Sequence, residues 1–593
     1  MRFTFDIECD GLRATKIWCC CCYNPDTKEF KSFHEDSKEE CKKYFEEADE
    51  VISFNGITFD APTLERLWGI RIPIKKHKDC IVLSRLANPK RAEGHSLRSW
   101  GIITGTFKGE WSDWSKWSEG MEEYCKGDCL TTWAAYQRLQ TELRGFSQFS
   151  QDIEHRSQWI LTEQHETGFP FDLEAAVALK NQMMSEYFPL IQKLQQTFPP
   201  RKTLVGQYKA RRKQDGSLTA KSAEIIQRDC VEPTETPDLY NVYEYKEFLI
   251  DSPQEIRERM APYWHPTIFN KPTKTGAVTP KVCDENLETV GEDAPEAIKD
   301  IVRCKILKSR STLVQSFIDA CWEDGRVHGD VISVGASSHR MAHRNPNCAN
   351  LASPKSLYGS EVRSLFKAPE GFVMVGCDLS GIQLRAMAHY CNDQELIKQI
   401  LEGDIHTHLA KIYGLIPDNA TPEESKKGRT RGKTITYAIL MGAGSAKIGQ
   451  LAGGDAKLGA DIMRRLSTGI HGWSKFKAQI DLRAQIGWFK ALDGRRVKLP
   501  NAHLGMALYL QSFEQAIMKL AMYLWTKEIK KKALSFQQCV IVHDEVDGIC
   551  KPEDAEEICK IINGSMHKAG EILKSRIRID GEYKIGKDWL EVH

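Results

Sequence analysis

Short apolar runs that stop on acidic residues organise this chain. Phe3-Thr4-Phe5-Asp6-Ile7-Glu8 alternates like a half-buried strand, which puts Asp6 and Glu8 on one face. Val51-Ile52-Ser53-Phe54-Asn55 predicts a second strand, running through Gly56 to Asp60 into a helix with Pro62 near its start. Helical spacing returns over 121–139, where Tyr124, Asp128 and Thr131 or Thr132 share a face. It returns over 152–193, with a break and restart at Gly168-Phe169-Pro170-Phe171-Asp172, and again over 253–260 and 294–322. Regularity fails at 198–239, punctuated by Pro199-Pro200, Asp215-Gly216, Pro233 and Pro237. Phe372-Val373-Met374-Val375-Gly376-Cys377 is an apolar strand ending on Asp378, and the residues from Leu379 to Arg385 open a helix. Residues 538–550 carry apolar runs on both sides of His543-Asp544-Glu545, which predicts a β-hairpin with an acidic turn.

A carboxylate held on rigid backbone suits a hard divalent cation, but one carboxylate does not hold a metal pair. Asp378 and Asp544, side by side on one sheet, would bridge two ions about 3.5–4 Å apart, an arrangement for in-line phosphoryl transfer. Between them, Arg429, Lys433, Tyr437 and Met441 follow at four-residue spacing along one helix face. Two cations and then a ring fit a triphosphate followed by a base. The plain alternative is a solvated basic face, but such a face would not put Arg and Lys in line with apolar residues. In the N-terminal part, a strand pair, a βα unit and a closing helix can bring Asp6, Glu8, Asp60 and Asp128 together. Four carboxylates at one point repel unless cations neutralise them, so a second two-metal site follows. The Tyr124 hydroxyl, one turn before Asp128, is placed to orient a water. Any one of these acids alone would read as an ordinary surface carboxylate.

The chain has 593 residues, too many for one core, which predicts about two to four domains. A formal net charge of +1 does not announce a nucleic-acid binder, so local patches must carry that argument. Arg201, Lys202, Lys209, Arg211, Arg212 and Lys213 form a run without an acid, either a solvated loop or a loop tracking phosphates over a duplex. Arg303, Lys305, Lys308 and Arg310 lie on a predicted helix and suit contact with a nucleic-acid backbone. The 19 cysteines are odd in number and irregularly spaced, and no signal peptide precedes the first strand. No apolar run approaches the roughly 20 residues of a membrane helix. A reduced, cytoplasmic protein with no membrane partner is expected. Cys19-Cys20-Cys21-Cys22 reads as a buried strand using Cys as a small hydrophobe. Strand neighbours face opposite ways, so four in a row do not converge on one ion. There is no internal repeat and no long low-complexity segment.

Asp6-x-Glu8, Asn55-x-x-x-Phe59-Asp60 and Tyr124-x-x-x-Asp128 come in the order of the DEDD-type 3′→5′ exonucleases and resemble the subclass that uses Tyr. Asp79 through Leu86 and His95 through Gly101 strengthen that likeness. Asp378-Leu379-Ser380, Arg429-x-x-x-Lys433-x-x-x-Tyr437 and Val542-His543-Asp544-Glu545 resemble motifs A, B and C of family A (DNA polymerase I-type) DNA polymerases, nearest the replicative enzymes of T-odd bacteriophages. Gly403-Asp404-Ile405-His406-Thr407, the turn at 492–496, Gln511 and Gly586-Lys587-Asp588-Trp589 reinforce it. The resemblance covers nearly the whole chain and is weakest at 196–240.

It implies an α/β and α+β multidomain protein: an RNase H-like exonuclease domain over 1–145, then a right-hand polymerase. Linker and thumb would span 146–330, with a basic insertion near 196–240, and palm and fingers 331–593, with fingers at about 395–480. The implied activity is template-directed DNA synthesis with 3′→5′ proofreading, in a bacteriophage enzyme working in the host cytoplasm. Two Mg²⁺ per site are implied, with Mn²⁺ as a substitute. Asp378, Asp544 and the Leu379 carbonyl would hold one pair; Asp6, Glu8 and Asp128 would hold one exonuclease ion, and Asp6 with Asp60 the other. Arg429, Lys433 and His406 would bind the triphosphate, Lys433 would also protonate the leaving pyrophosphate, and Tyr437 would stack on the incoming base. Glu545 would support the metal site, His543 the primer end, and Arg340 with Gln511 would feel the minor groove. Primer–template DNA, dNTPs and a single-stranded 3′ end are the implied partners.

Several positions depart from the family. Gln383 replaces the usual motif A Glu, and Met441 replaces the usual Tyr before the motif B Gly. Both members of a hydrogen-bonded pair beside the sugar pocket change, which predicts joint replacement: Gln383 as a neutral steric block and Met441 filling the ring's space. Ala507 stands where an Asn is usual, and Ser338-His339-Arg340 replaces Thr-Gly-Arg, which predicts an added side chain near the primer. The segment at 196–240 is shorter than the thumb insertion that recruits thioredoxin in T-odd phage enzymes, so thioredoxin is not carried over and the processivity partner stays open. Three rival readings remain: a nuclease whose C-terminal half only binds DNA, a single-subunit RNA polymerase, and a non-enzymatic scaffold. Intact Asp378 and Asp544 weigh against the first and third, and the attached nuclease against the second.

Overall fold

Alternation of Phe3, Phe5 and Ile7 with polar neighbours makes Arg2–Cys9 the central strand of a five-stranded sheet, in the order Glu29–Phe33, Ile17–Asn24, Arg2–Cys9, Glu50–Ser53, His77–Asp79. The first three strands are antiparallel, and the last two continue parallel to the central one. The computed structural model describes residues 1–106, 109–270, 273 and 276–593. It divides into two bodies, one of residues 1–171, 322–351 and 366–593, the other of 172–321 and 352–365.

In the first body, one face of the sheet packs Phe3, Phe5 and Ile7 against Tyr44, Phe45 and Leu64. Ile52 joins Leu83, Trp100 and Leu139 in a second core. Each fully buried ring contributes about 2 kcal/mol. The helix expected over 121–139 is Glu119–Glu142, started by Ser118, whose side chain accepts from the Met121 amide. Thr4 Oγ1 donates to the Cys129 carbonyl at 3.0 Å and ties this helix to the central strand.

A second sheet of the same body is antiparallel, in the order Gln537–Val542, Glu545–Cys550, Val373–Leu379, Gly581–Gly586. Val542 pairs with Glu545, so His543 and Asp544 form a two-residue turn, with His543 at φ 59°. The long apolar helix Gly505–Lys531 and the helix Ala555–Ile572 share its core. Glu154, on the helix Gln148–Thr167, is buried with Lys519 (2.7 Å) and Arg495 (2.5 Å), and Arg495 also pairs with Asp493. Two buried cations thus meet two buried anions, and removing any one costs about 3–5 kcal/mol. The turn at 492–496 is part of this joint.

Residues 395–480 are helical: Gln394–Glu402, Ile405–Ile412, Pro422–Leu440, Ser445–Ala452, Ala456–Gly469 and Trp473–Ile486. The helix expected from Arg429 begins earlier, at Pro422, because Thr421 and Glu424 form a reciprocal capping box. No described helix is long and apolar enough to cross a membrane.

In the second body, Leu173–Thr197 packs against Glu296–Asp319. The stretch expected to be irregular instead contains a three-stranded antiparallel sheet, Arg201–Lys209, Leu239–Lys246 and Val231–Pro233. The Pro and Gly signals fall mainly in its connections, and both faces of Arg201–Lys209 are largely solvated, so no apolar alternation marked it. Its basic residues find acids across the fold: Arg201 pairs with Glu258, Lys202 with Glu232 and Arg212 with Asp238. Lys305 and Lys308 pair with Asp251, Arg303 with Glu186, and buried Arg310 with Asp284. This pairing removes Arg310 from the surface where a phosphate contact was expected.

Candidate functional site

The strand Val373–Leu379 and the hairpin turn bring Asp378 and Asp544 to one edge of the sheet. The Leu379 amide donates to the Asp544 carbonyl at 3.0 Å, and Asp378 is opposite Glu545. Burial, then Glu545, Glu582 and Glu514, raise the Asp378 carboxyl to about 7, although its outer edge is open to solvent. Burial, then Glu514 and Asp378, raise Asp544 to about 8. Crowded hard oxygens that resist ionising side by side fit a divalent cation, which would relieve their repulsion. Glu545 is buried and accepts from His593 Nδ1 at 2.8 Å. The His543 carbonyl accepts from Gln515 Nε2 at 3.2 Å, and burial lowers its imidazole.

The helix Pro422–Leu440 presents Arg429 and Lys433 exposed and Tyr437 half-buried. Gly428 and Gly432 settle which face turns inward: a Cβ at Gly432 would sit 2.7 Å from Ala410 Cβ, and one at Gly428 2.8 Å from the Leu415 carbonyl. Arg429 Nε pairs with Asp404 Oδ2 at 2.7 Å. The His406 ring lies 6.2 Å from Tyr437, and burial, then Lys433 and Arg429, depress its pKa. The Tyr437 hydroxyl is raised by burial, then by Asp544 and Asp378, so the helix face and the acids share one cleft.

Gln383 and Arg340 converge on a residue the sequence reading missed. Glu514, 0 % exposed, accepts from Arg340 Nε at 2.8 Å and Nη2 at 2.5 Å, from Gln383 Nε2, and from Gln515 Nε2 at 3.2 Å. Its local signal was slight: one acid three residues after Gln511 in a largely apolar helix. Met441 is 45 % exposed, with Sδ 3.9 Å from Gln511 Nε2, so it lies beside Gln511 at the surface of the cleft. His339 turns inward: it is 1 % exposed, at φ 64°, with Nδ1 3.4 Å from Arg495 and its carbonyl accepting from Lys519 at 2.9 Å. The side chain expected near the primer is therefore part of the buried joint.

The N-terminal acids gather at the central strand and the helix Glu119–Glu142. Glu8, Asp60 and Asp128 are buried, and Asp60 Oδ1 accepts from the Ile7 amide at 3.2 Å. Burial, then Asp79 and Glu8, push the Asp60 carboxyl up to about 8. Oxygens of Asp6 and Glu8 lie within 4.8 Å of one another and of Cys125 Sγ. Asp6, Asp128 and Asp60 all act on neighbouring Cys129, and Glu8 acts on Asp60, so the four acids lie in one region. Tyr124 lines a cleft of about 740 Å³ with Arg98, Ile102 and Trp111. Trp114 Nε1 donates to Glu8 Oε2 at 3.0 Å, a contact no motif announced. Buried Asp79 accepts from the amides of Asn55, Ile57 and Ile81 and so holds the loop that delivers Asp60.

The sequence pattern of DNA polymerase family A matches residues 229–591 of this chain. The chain belongs to DNA polymerase family A. An RNase H superfamily pattern matches residues 3–101, which hold the strand bearing Asp6 and Glu8 and the helix Asp60–Trp68 that begins with Asp60. The DNA-directed DNA polymerases of Enterobacteria phage T3 and Escherichia phage T7 are each 26 % identical, over 99 % of this chain and 99 % of theirs. DNA polymerase I of Aquifex aeolicus is 25 % identical over 45 % of this chain and 47 % of its own. In fold, the chain resembles the POL domain of Pol1 from M. smegmatis in complex with DNA primer-template and dNTP, with TM-score 0.74, 16 % identity, and 99 % and 95 % of the two chains covered. Family A polymerases and RNase H-like domains generally use divalent metals, which agrees with acids at both sites that resist ionisation alone. The expected right-hand polymerase preceded by an RNase H-like domain is therefore the fold of this family A member.

Proposed function

We propose that this family A polymerase extends a primer 3′ end with dNTPs at Asp378 and Asp544 and removes mispaired 3′ ends at Asp6, Glu8, Asp60 and Asp128. The observation that carries the reading is the meeting of Asp378 and Asp544 at one sheet edge, close enough to Tyr437 for both to act on its hydroxyl. Two Mg²⁺ held by Asp378, Asp544 and the Leu379 carbonyl, or Mn²⁺ in their place, would supply charge neutralisation and an activated attacking oxygen. Two more ions would serve the N-terminal acids, Asp6, Glu8 and Asp128 holding one and Asp6 with Asp60 the other.

Arg429, freed from Asp404 by a more strongly charged partner, and Lys433 grip the triphosphate, with His406 beside them. Lys433 gives its proton to the departing pyrophosphate oxygen. Tyr437 stacks on the incoming base, and Gln383 stands against its sugar. Arg340, aimed by Glu514, and Gln511 read the minor groove, where correct pairs present similar acceptors. His543 steadies the primer end, and Glu545 backs Asp378. In the nuclease site, the Tyr124 hydroxyl orients the attacking water beside Asp128. Primer–template DNA, dNTPs and a single-stranded 3′ end are the partners; the processivity factor is left open, and thioredoxin is not included. Cytoplasmic replication of a bacteriophage genome is the setting that fits the T3 and T7 relatives.

Primer extension on a defined template tests this directly. Extension with dNTPs, little with rNTPs and shortening of the primer without nucleotides is the expected pattern. Extension with rNTPs alone would favour an RNA polymerase, and shortening without any extension a nuclease.

A further inference from the structure

The four consecutive cysteines of the strand Ile17–Asn24 divide between two faces with unlike surroundings. Cys20 and Cys22 join Cys41 in the aromatic core of Phe3, Phe5, Tyr44 and Phe45 and act there as small apolar fillers. Cys19 and Cys21 face the helix Glu119–Glu142 and pack with Cys125 and Cys129 in a cluster whose fully buried members are all cysteines. The Sγ atoms of Cys19, Cys21 and Cys125 all lie within 4.8 Å of one another, and all three residues are buried. Thiolates at about 2.3 Å from one tetrahedral zinc stand under 4 Å apart, so this spacing needs only a small contraction. Cys20, Cys22 and Cys41 form no such group, and all nineteen cysteines are free thiols. Apolar packing explains one face and leaves the other unexplained, because Ala or Val would fill the space without three convergent sulfurs.

We propose that Cys19, Cys21 and Cys125 bind a soft divalent metal ion, zinc first among them, and that Cys129, whose Sγ lies outside that group of three, turns from the Cys21 carbonyl to complete the shell. Cys129 lies one turn after Cys125, and its Sγ is 3.2 Å from the Cys21 carbonyl. Binding exchanges each S–H for an S–metal bond and releases those protons to solvent. The ion is structural: its ligands come from one strand and one helix, and all are buried. Cys125 Sγ lies 3.6 Å from Asp6 Oδ2, so the site staples the helix bearing Tyr124 and Asp128 to the sheet bearing Asp6 and Glu8.

Titration of the reduced full-length chain with Co²⁺ separates thiolate ligation from carboxylate ligation, because only thiolates give an intense near-ultraviolet charge-transfer band. One equivalent is expected to produce that band, and zinc to abolish it by displacement. Cys19→Ser with Cys21→Ser should lose the band, whereas Cys20→Ser with Cys22→Ser, on the opposite face, should keep it. No band in the unmodified chain, or a band that survives the Cys19 and Cys21 replacements, would overturn the proposal. The first of these outcomes does not depend on whether any variant folds.

Discussion

The two acidic sites of this chain solve the same electrostatic problem in opposite settings. The N-terminal acids are mostly buried between a sheet and a helix, and Trp114 caps Glu8. Asp378 and Asp544 sit at a strand end and a turn, open on one side, under a helix whose cations are exposed. A buried site is preorganised, whereas an open one must be completed by its substrate. The difference also explains why the open site leans on a buried helper: Glu514 aims Arg340 and Gln383 from beneath, where the surface cannot.

The largest expected effect removes what the sites share. Chelation of divalent cations should abolish both extension and 3′ shortening, and a surviving activity would show a site that does not use them. Next comes stability against pH in chelator. Asp60 and Asp544, at about 8, and Asp378, at about 7, are raised above the ordinary carboxylate value of about 4. Their neutral forms therefore favour the fold: that contribution is complete below about pH 4 and is lost as pH rises through 7 to 8. Tm of the metal-free chain should fall over that range, Mg²⁺ should restore it, and Asp60→Asn should flatten the fall. A flat Tm in the unmodified chain would contradict the crowding described for both sites.

Glu514→Ala strands Arg340 and should cost about 3 kcal/mol in chemical unfolding. It should slow extension at least about tenfold while leaving 3′ shortening unchanged, which breaks the symmetry between the sites. Gln383→Ala should weaken rejection of rNTPs about tenfold, measured as the ratio of kcat/KM values, and an unchanged ratio would remove Gln383 from the sugar pocket. The smallest effect is Trp114→Phe. It should raise the Mg²⁺ needed for half-maximal 3′ shortening by about threefold, with no change in extension.

Much of this was legible in the chain. Strands that end on acids, and a helix with Arg429, Lys433 and Tyr437 at four-residue spacing, are local patterns, and local patterns survive folding. The capping box at Thr421 was equally local and went unread. Glu514 was hidden for a different reason: its partners Arg340 and Gln383 are distant in sequence, and only packing shows that one carboxylate serves both. His339 looked like an addition to the primer path because nothing local says which way it points. Its left-handed backbone and the buried joint with Arg495 turn it inward. The sheet at 201–246 escaped because Arg201–Lys209 exposes both faces and Leu239–Lys246 buries neither fully.

The proposed function puts two independent metal-dependent sites with opposing chemistry in one chain. A single assay with a labelled primer, on template and alone, reads both. Asp378→Ala should abolish extension and preserve shortening of the single strand, and Asp6→Ala with Glu8→Ala should do the reverse. Loss of both activities from either lesion, in protein that remains folded, would contradict the account.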